Sequence, residues 1–132
     1  MVVYDSSVFI DQLRTGRYTQ QMDSTPELAR TSSVVLAELW RGATTDAERV
    51  FLHALERSHP IWSPSESNWI ESGRLLHKMQ RNHGFAAAKL RDLHFDVLIA
   101  LTARSHGARV VTSNRTDFEL IRRYRDFMME VW

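Results

Sequence analysis

The sequence predicts a parallel α/β sandwich built from a single domain, residues 1–132. Two short runs, residues 2–5 and 109–112, are rich in valine and show no alternation of polar and apolar residues, which is typical of strands buried on both faces of a parallel sheet. Between such runs lie longer segments whose apolar residues recur about one helical turn apart. Because strands alternate with helices and the joining loops are short, the strands are expected to run parallel.

Local start and stop signals define the individual elements. Ser6 and Ser7 can cap the first helix and Gly16 can end it, while Gly42 can end the next one. In chain order, the sequence predicts a strand over residues 2–5, a helix from 6 to about 16, a polar loop over 17–27, a strand over 28–31, helices over 34–41 and 46–57, a strand over 60–64, a helix over 66–81, a helix over 96–105, a strand over 109–112, a helix over 118–123 and a strand over 127–131.

The alanine-rich segment 85–93 allows two interpretations. It is either helical or an extended loop beside an active site. Within this segment Asp92 precedes Asp96 by one helical turn, and it is interpreted as a helix cap rather than as an additional metal ligand.

Composition excludes several classes of function. Seventeen basic and sixteen acidic residues leave a formal charge of +1, so the chain is not a histone-like nucleic-acid binder. The absence of cysteine excludes disulfides, thiolate zinc sites and a cysteine nucleophile. No segment approaches the roughly 18 apolar residues of a membrane span, and Met1 leads directly into a strand rather than a signal peptide. A soluble, cytoplasmic domain with no membrane partner is therefore expected.

Four acidic residues lie inside or at the end of apolar runs, namely Asp5, Glu38, Asp96 and Asp117. Ligands of open parallel sheets bind at the carboxyl ends of the strands, and the predicted elements can bring all four acids to that edge. Such a cluster repels itself when empty and suits Mg²⁺ or Mn²⁺. One or two such ions could hydrolyse a phosphodiester, since two ions about 4 Å apart can activate water and stabilise the leaving oxygen.

Each acid also has a structural explanation. Asp5 and Asp117 could cap the helices that follow them, and Asp96 could interact with a helix dipole in a first turn. Glu38 lies between Ala37 and Leu39 in an apolar helix, where a pair with Arg41 is the main alternative to a metal site.

Three stretches, 4–10 (YDSSVFI), 33–39 (SVVLAEL) and 96–118 (DVLIALTA through VVTSNRTDF), together resemble PIN-domain ribonucleases, most closely the VapC-type toxins of toxin–antitoxin pairs. The resemblance implies a three-layer α/β/α sandwich with a central parallel sheet and an endoribonuclease dependent on Mg²⁺ or Mn²⁺. It places the acidic positions of the family on Asp5, Glu38, Asp96 and Asp117, with supporting positions on Ser6, Thr112 and Asn114. It also implies an RNA substrate, a cognate antitoxin and a homodimer.

Basic residues near the predicted acidic edge could neutralise an RNA backbone. The candidates are Arg41, Lys89, Arg91 and Arg115.

Two other functions stay open on the sequence alone. A phosphoryl-transfer domain could use Asp5 as a nucleophile, although dehalogenase-type phosphatases require a second aspartate where Ser7 stands. A PIN-like domain could alternatively bind RNA or protein without cleaving. The four mutually repelling acids argue against that second reading, since a binding domain has little reason to keep them.

Overall fold

A computed structural model describes all residues, 1–132, as five strands and seven helices. The strands are β1 (Val2–Tyr4), β2 (Ala29–Ser32), β3 (Ile61–Trp62), β4 (Arg109–Thr112) and β5 (Met129–Val131). The helices are α1 (Ser6–Thr15), α2 (Thr19–Ser24), α3 (Ser33–Gly42), α4 (Asp46–Ser58), α5 (Glu66–His83), α6 (Ala87–Ser105) and α7 (Arg115–Tyr124).

All five strands form one parallel sheet in the order β3-β2-β1-β4-β5, flanked by helices, which confirms the predicted three-layer α/β/α sandwich. The chain starts in the middle of the sheet, adds strands on one side, and then returns to add β4 and β5 on the other side of β1. The strand order therefore reverses between β1 and β4. In such sheets the loops after these two strands diverge and leave a crevice for a ligand.

The two central strands are the most deeply buried part of the core. Val2 and Val3 of β1 and Val110 and Val111 of β4 are at most 1% exposed, as expected for strands covered on both faces. Helix α6 packs beside them, and every residue from 96 to 103 is buried. A polar side chain that projects from these elements toward the carboxyl edge is therefore held by rigid surroundings.

Most helix ends follow the predicted capping chemistry, but Ser6 and Ser7 do not cap α1, because Asp5 occupies its cap position and both serines lie inside the helix. The Ser32 hydroxyl accepts a hydrogen bond from the backbone N–H of Val34 and so caps α3. Gly16 ends α1 and Gly84 ends α5, both with φ near +65° (66° and 64°), where a side chain would be strained. No helix is long and apolar enough to cross a membrane.

Three element predictions are wrong. Part of the expected loop 17–27 forms the short helix α2, because Thr19–Ser24 is polar but contains no helix breaker. Of the two alternatives for the segment 85–93, the helix is confirmed, and the predicted helix start at 96 is wrong, since α6 begins at Ala87 and continues without interruption through Asp96. Asp92 is consequently an exposed residue inside this helix and caps nothing. Helix α7 begins at Arg115 rather than at Phe118 because Asn114 supplies the cap.

Candidate metal centre

The reversal of strand order brings the carboxyl ends of β1 and β4 side by side, and the predicted acids meet there. Tyr4 pairs with Val111 across the two strands, so Asp5 and Thr112, the next residue along each chain, are neighbours. Glu38 reaches this edge from α3 and Asp96 from the middle of α6. Three sequence-distant acids are therefore positioned by a strand end and two packed helices.

Carboxylate oxygens of Asp5, Glu38 and Asp96 all lie within 4.8 Å of one another. Asp5 and Asp96 are buried, with exposed fractions of 2% and 7%, and Glu38 is half-buried. Asp117 is also buried but does not join this group of three. The structure thus brings together three of the four predicted acids as a compact cluster, and it places the fourth beside them with a partner of its own.

Hydroxyl groups hold the Asp5 carboxylate in place. Its Oδ2 accepts hydrogen bonds from Ser7 Oγ at 2.7 Å and Thr112 Oγ1 at 3.0 Å, and Oδ1 accepts a longer one from Ser6 Oγ at 3.4 Å. Asp5 occupies the cap position of α1, but its side chain makes no capping hydrogen bond. Its carboxylate instead belongs to the cluster with Glu38 and Asp96.

Burial raises the pKa of all three carboxyl groups, and repulsion by neighbouring carboxylates raises it further for Glu38 and Asp96. Burial raises the pKa of Asp5, against which the hydrogen bonds from Ser7 and Thr112 act. Burial and then the charge of Asp5 raise the pKa of Glu38 to about 7. Burial, followed by the charges of Asp5 and Glu38, raises the pKa of Asp96 to about 9. The cluster therefore holds protons at neutral pH until a positive charge replaces them.

The donor set fits a hard divalent cation. Glu38 Oε1 is buried and has no hydrogen-bond partner, so this carboxylate oxygen is free to bind an ion. Arg41 does not neutralise it by direct pairing, because its guanidinium lies over the Phe95 ring at 5.1 Å, although its charge lowers the pKa of Glu38 somewhat. Oxygen ligands without nitrogen or sulfur suit Mg²⁺ or Mn²⁺, so Asp5, Glu38 and Asp96 are the residues that would hold such an ion.

Asp117 is engaged by two neighbours. Lys89 Nζ donates to both of its carboxylate oxygens, at 2.6 and 2.8 Å, and Asn114 Nδ2 donates to Oδ2 at 3.0 Å. Asn114 Oδ1 also accepts from the backbone N–H of Asp117, at 3.3 Å, and thereby caps α7. Asn114 is thus the residue that caps α7. The alternative interpretation, in which Asp117 caps this helix, is wrong.

The dipole interpretation of Asp96 is wrong as well. It requires Asp96 to lie in the first turn of a helix, whereas α6 begins at Ala87 and Asp96 lies near its middle. No helix terminus is available there to stabilise the charge.

The four candidate RNA-contacting residues have different surroundings. Arg91 is exposed, and Arg41 packs on Phe95 next to the cluster. Arg115 is largely exposed and pairs with Glu119 on its own helix, at 3.1 Å. The ammonium of Lys89 is bound to the Asp117 carboxylate.

Sequence reasoning missed the role of Ser7. Its hydroxyl donates to Asp5 and accepts a hydrogen bond from the backbone N–H of Ser113, at 3.1 Å, so it joins the loops after β1 and β4. Ser6 and Ser7 both read as helix caps in the sequence, and only the adjacency of β1 and β4 distinguishes them. The tandem hydroxyls directly after a buried strand were the available signal.

A groove of about 560 Å³ opens beside the cluster, between α1, α3 and α4. Its lining includes Ile10, Leu13, Leu39 and Leu52 together with Glu38, whose carboxylate belongs to the cluster. Ile10 and Leu13 are 37% and 40% exposed, so the groove presents apolar side chains to the outside. An apolar groove that leads to a set of acids could accept an extended or helical segment of a partner.

Comparisons with known proteins agree with this geometry. No curated protein matches the chain significantly. A crystal structure of DNA-bound VapBC from Salmonella typhimurium contains a chain 20% identical to this one, with a TM-score of 0.75, covering 99% of this chain and 97% of that one. VapBC2 from Rickettsia felis bound to a promoter DNA fragment gives 20% identity, a TM-score of 0.71 and coverage of 100% and 99%. FitAcB from Neisseria gonorrhoeae contains a chain with 23% identity and a TM-score of 0.66, and the match covers 98% of this chain and 96% of that one.

At these identities the solved structures establish a shared fold. The sequence itself matches the model of the PIN domain over residues 2–124, which is nearly its whole length. This chain therefore belongs to the PIN-domain family.

Proposed function

We propose that this protein is a metal-dependent endoribonuclease that hydrolyses RNA phosphodiester bonds with Mg²⁺ or Mn²⁺. The observation that carries the proposal is the cluster of three carboxylates at the strand-order reversal, two buried and one half-buried, whose oxygens lie within 4.8 Å of one another. Membership in the PIN family supports it, since PIN domains are in general nucleases. A divalent ion bound there would activate water and neutralise charge that develops on the phosphate.

Side chains of this protein would bind the metal ion, orient its ligands and contact the RNA. Asp5, Glu38 and Asp96 supply oxygen ligands, and Ser7 and Thr112 fix the orientation of Asp5 through the hydrogen bonds described above. Exposed Arg91 lies on the same helix as Asp96 and is suited to contact the RNA backbone. No cysteine is present, and the hydroxyls of half-buried Ser7 and buried Thr112 are engaged with Asp5, so hydrolysis needs no covalent protein intermediate.

The direct test is incubation of purified protein with total cellular RNA in Mn²⁺ or in EDTA, followed by mapping of the new RNA ends. We expect discrete new ends in Mn²⁺ and none in EDTA. Asp96→Asn should abolish them, because it removes a ligand while preserving side-chain shape. The matched control is Asp126→Asn, which changes an exposed aspartate at the opposite edge, just before β5, and should cleave like the wild type.

Two results would contradict the proposal. Full cleavage by Asp96→Asn in Mn²⁺ would remove the cluster from the reaction. Binding of RNA without cleavage, together with no uptake of Mn²⁺ by calorimetry, would favour the non-catalytic alternative.

Within the same proposal, the protein acts as the toxin of a toxin–antitoxin pair. Support comes from the fold shared with chains of the VapBC and FitAcB structures and from the apolar groove beside Glu38, which could receive an antitoxin segment. Expression of the chain alone is expected to arrest bacterial growth, and co-expression of the product of the neighbouring open reading frame is expected to restore it. Growth arrest that persists in Asp96→Asn would show that the toxicity has another cause.

A homodimer is also part of the proposal. Exposed apolar side chains such as Trp69 and Ile70, about half exposed on α5, are suited to an interface between two copies. Light scattering of the purified chain should give twice the 15.4 kDa chain mass, and a monomer at micromolar concentration would contradict this part.

A further inference from the structure

Lys89 lies at a helix position where a basic residue is unfavourable. It lies in the first turn of α6, where the positive end of the helix dipole favours acidic residues and disfavours a cation. This turn has no acidic residue and no side-chain cap, so nothing within the turn itself compensates for the ammonium. A residue that violates local preference beside a cluster of charges indicates a role in that cluster.

The contacts of Lys89 identify this role. The Lys89 side chain is 41% exposed, whereas that of Asp117 is 10% exposed, so the ammonium reaches inward from the surface to a buried carboxylate. It contacts both oxygens of that carboxylate, and Asn114 contacts one of them. Asp117 thus has its negative charge matched and its oxygens occupied by protein donors.

Helix geometry also places Lys89 next to the other acids. Lys89 and Asp96 are two turns apart on α6, and residues at this spacing lie on the same face. The charge of Lys89 opposes the repulsion that Asp96 experiences from Asp5, Glu38 and Asp117. The ammonium is therefore a fixed positive charge on the Asp117 side of the cluster.

We propose that Lys89 is a positioning residue that holds Asp117 out of the metal shell, so that this centre binds one divalent ion through Asp5, Glu38 and Asp96. The Lys89 ammonium then supplies the second positive charge that a further ion supplies in two-ion centres. Lysine suits this role because its ammonium is a compact point charge that binds both carboxylate and phosphate. The inference rests on the proposed metal-dependent nuclease.

The test is the stoichiometry of Mn²⁺ binding in the absence of RNA, measured by electron paramagnetic resonance of the free ion. The wild type is expected to bind one Mn²⁺ per chain. Asp117→Asn should also bind one, with an affinity within about tenfold of the wild type, while Asp96→Asn should lose about 100-fold or more. Two ions in the wild type, reduced to one by Asp117→Asn, would overturn the inference.

Lys89→Met tests the lysine itself. Removal of the ammonium leaves the Asp117 carboxylate free, and this variant is expected to take up a second Mn²⁺, whereas the matched control Arg91→Met should still bind one. A folded Lys89→Met that binds a single ion would overturn the role of Lys89. If the unpaired Asp117 prevents folding, the double variant Lys89→Met/Asp117→Asn removes both partners; one ion in this variant supports the inference, and none overturns it.

The number of bound Mn²⁺ ions tests this inference, whereas RNA cleavage tests the proposed function, so the two can fail separately. Uptake of one Mn²⁺ without any RNA cleavage would refute the nuclease and leave the one-ion centre intact. EDTA-sensitive cleavage by a protein that binds two ions would support the nuclease and refute the one-ion centre.

Discussion

Replacing Asp96 by asparagine is expected to stabilise the metal-free protein and to abolish its response to Mn²⁺. Asp96 is 7% exposed, and burial together with neighbouring carboxylates raises its pKa from 3.8 to about 9. The folded protein therefore holds this proton more tightly than the unfolded chain does. Consequently, the contribution of Asp96 to the free energy of unfolding is largest below about pH 4 and falls as the pH rises toward 9.

The size of the stabilisation by Asp96→Asn follows from the same pKa values. Each pH unit in this window removes about 1.4 kcal/mol per group, so the rise from pH 4 to pH 7 removes about 4 kcal/mol. Repulsion between two ionised carboxylates 4.8 Å apart is of the same order, about 3 kcal/mol at an effective dielectric constant of about 20. A buried amide that lacks partners costs about 2 kcal/mol. The net gain for Asp96→Asn is then about 2 kcal/mol, or about 6 °C in Tm.

Thermal unfolding followed by circular dichroism at pH 7, in EDTA and in Mn²⁺, measures both effects. Mn²⁺ at 100 times its Kd should stabilise the wild type by about 2.7 kcal/mol and Asp96→Asn by nothing measurable. Asp126→Asn serves as the control and should follow the wild type in both buffers. The reasoning is refuted if Asp96→Asn unfolds below the wild type in EDTA and still gains stability from Mn²⁺.

Three further outcomes are expected. Mn²⁺ affinity, measured by calorimetry, should fall by about 100-fold or more from pH 8 to pH 6, because the ion must displace protons from Glu38 and Asp96, whose pKa values are raised to about 7 and about 9; a flat profile would contradict this. Ser7→Ala removes the 2.7 Å hydrogen bond to Asp5 and should weaken Mn²⁺ binding by about tenfold, whereas unchanged affinity would exclude the orienting role. Asn114→Ala removes the cap of α7 and should lower the free energy of unfolding in urea by about 1 kcal/mol, and an unchanged midpoint would argue against the cap.

The sequence carried enough information to predict the sheet and the edge at which the acids meet. The valine runs of β1 and β4 are short-range signals, since buried parallel strands tolerate no polar alternation. The positions of Asp5 and Thr112 then follow, because both come directly after these strands. The three-layer fold came from the family resemblance and is confirmed by the sheet order.

Contacts between distant residues were beyond reach from the sequence. Lys89 and Asp117 are 28 residues apart, and their pairing depends on how α6 and α7 pack at the sheet edge. Ser7 and Ser113 are 106 residues apart and meet only because β1 pairs with β4. The continuity of α6 through residues 87–96 was also open, since an alanine-rich segment suits a helix but carries no start signal of its own.

The chemistry of the RNA ends tests the central claim most directly. RNA cleaved in ¹⁸O-labelled water can be digested and its terminal phosphates weighed by mass spectrometry. Hydrolysis at the Asp5–Glu38–Asp96 cluster predicts linear terminal phosphates that carry one solvent oxygen in Mn²⁺, and no products in EDTA. Cyclic 2′,3′-phosphates without solvent oxygen, formed equally in EDTA, would contradict a metal-dependent hydrolytic centre.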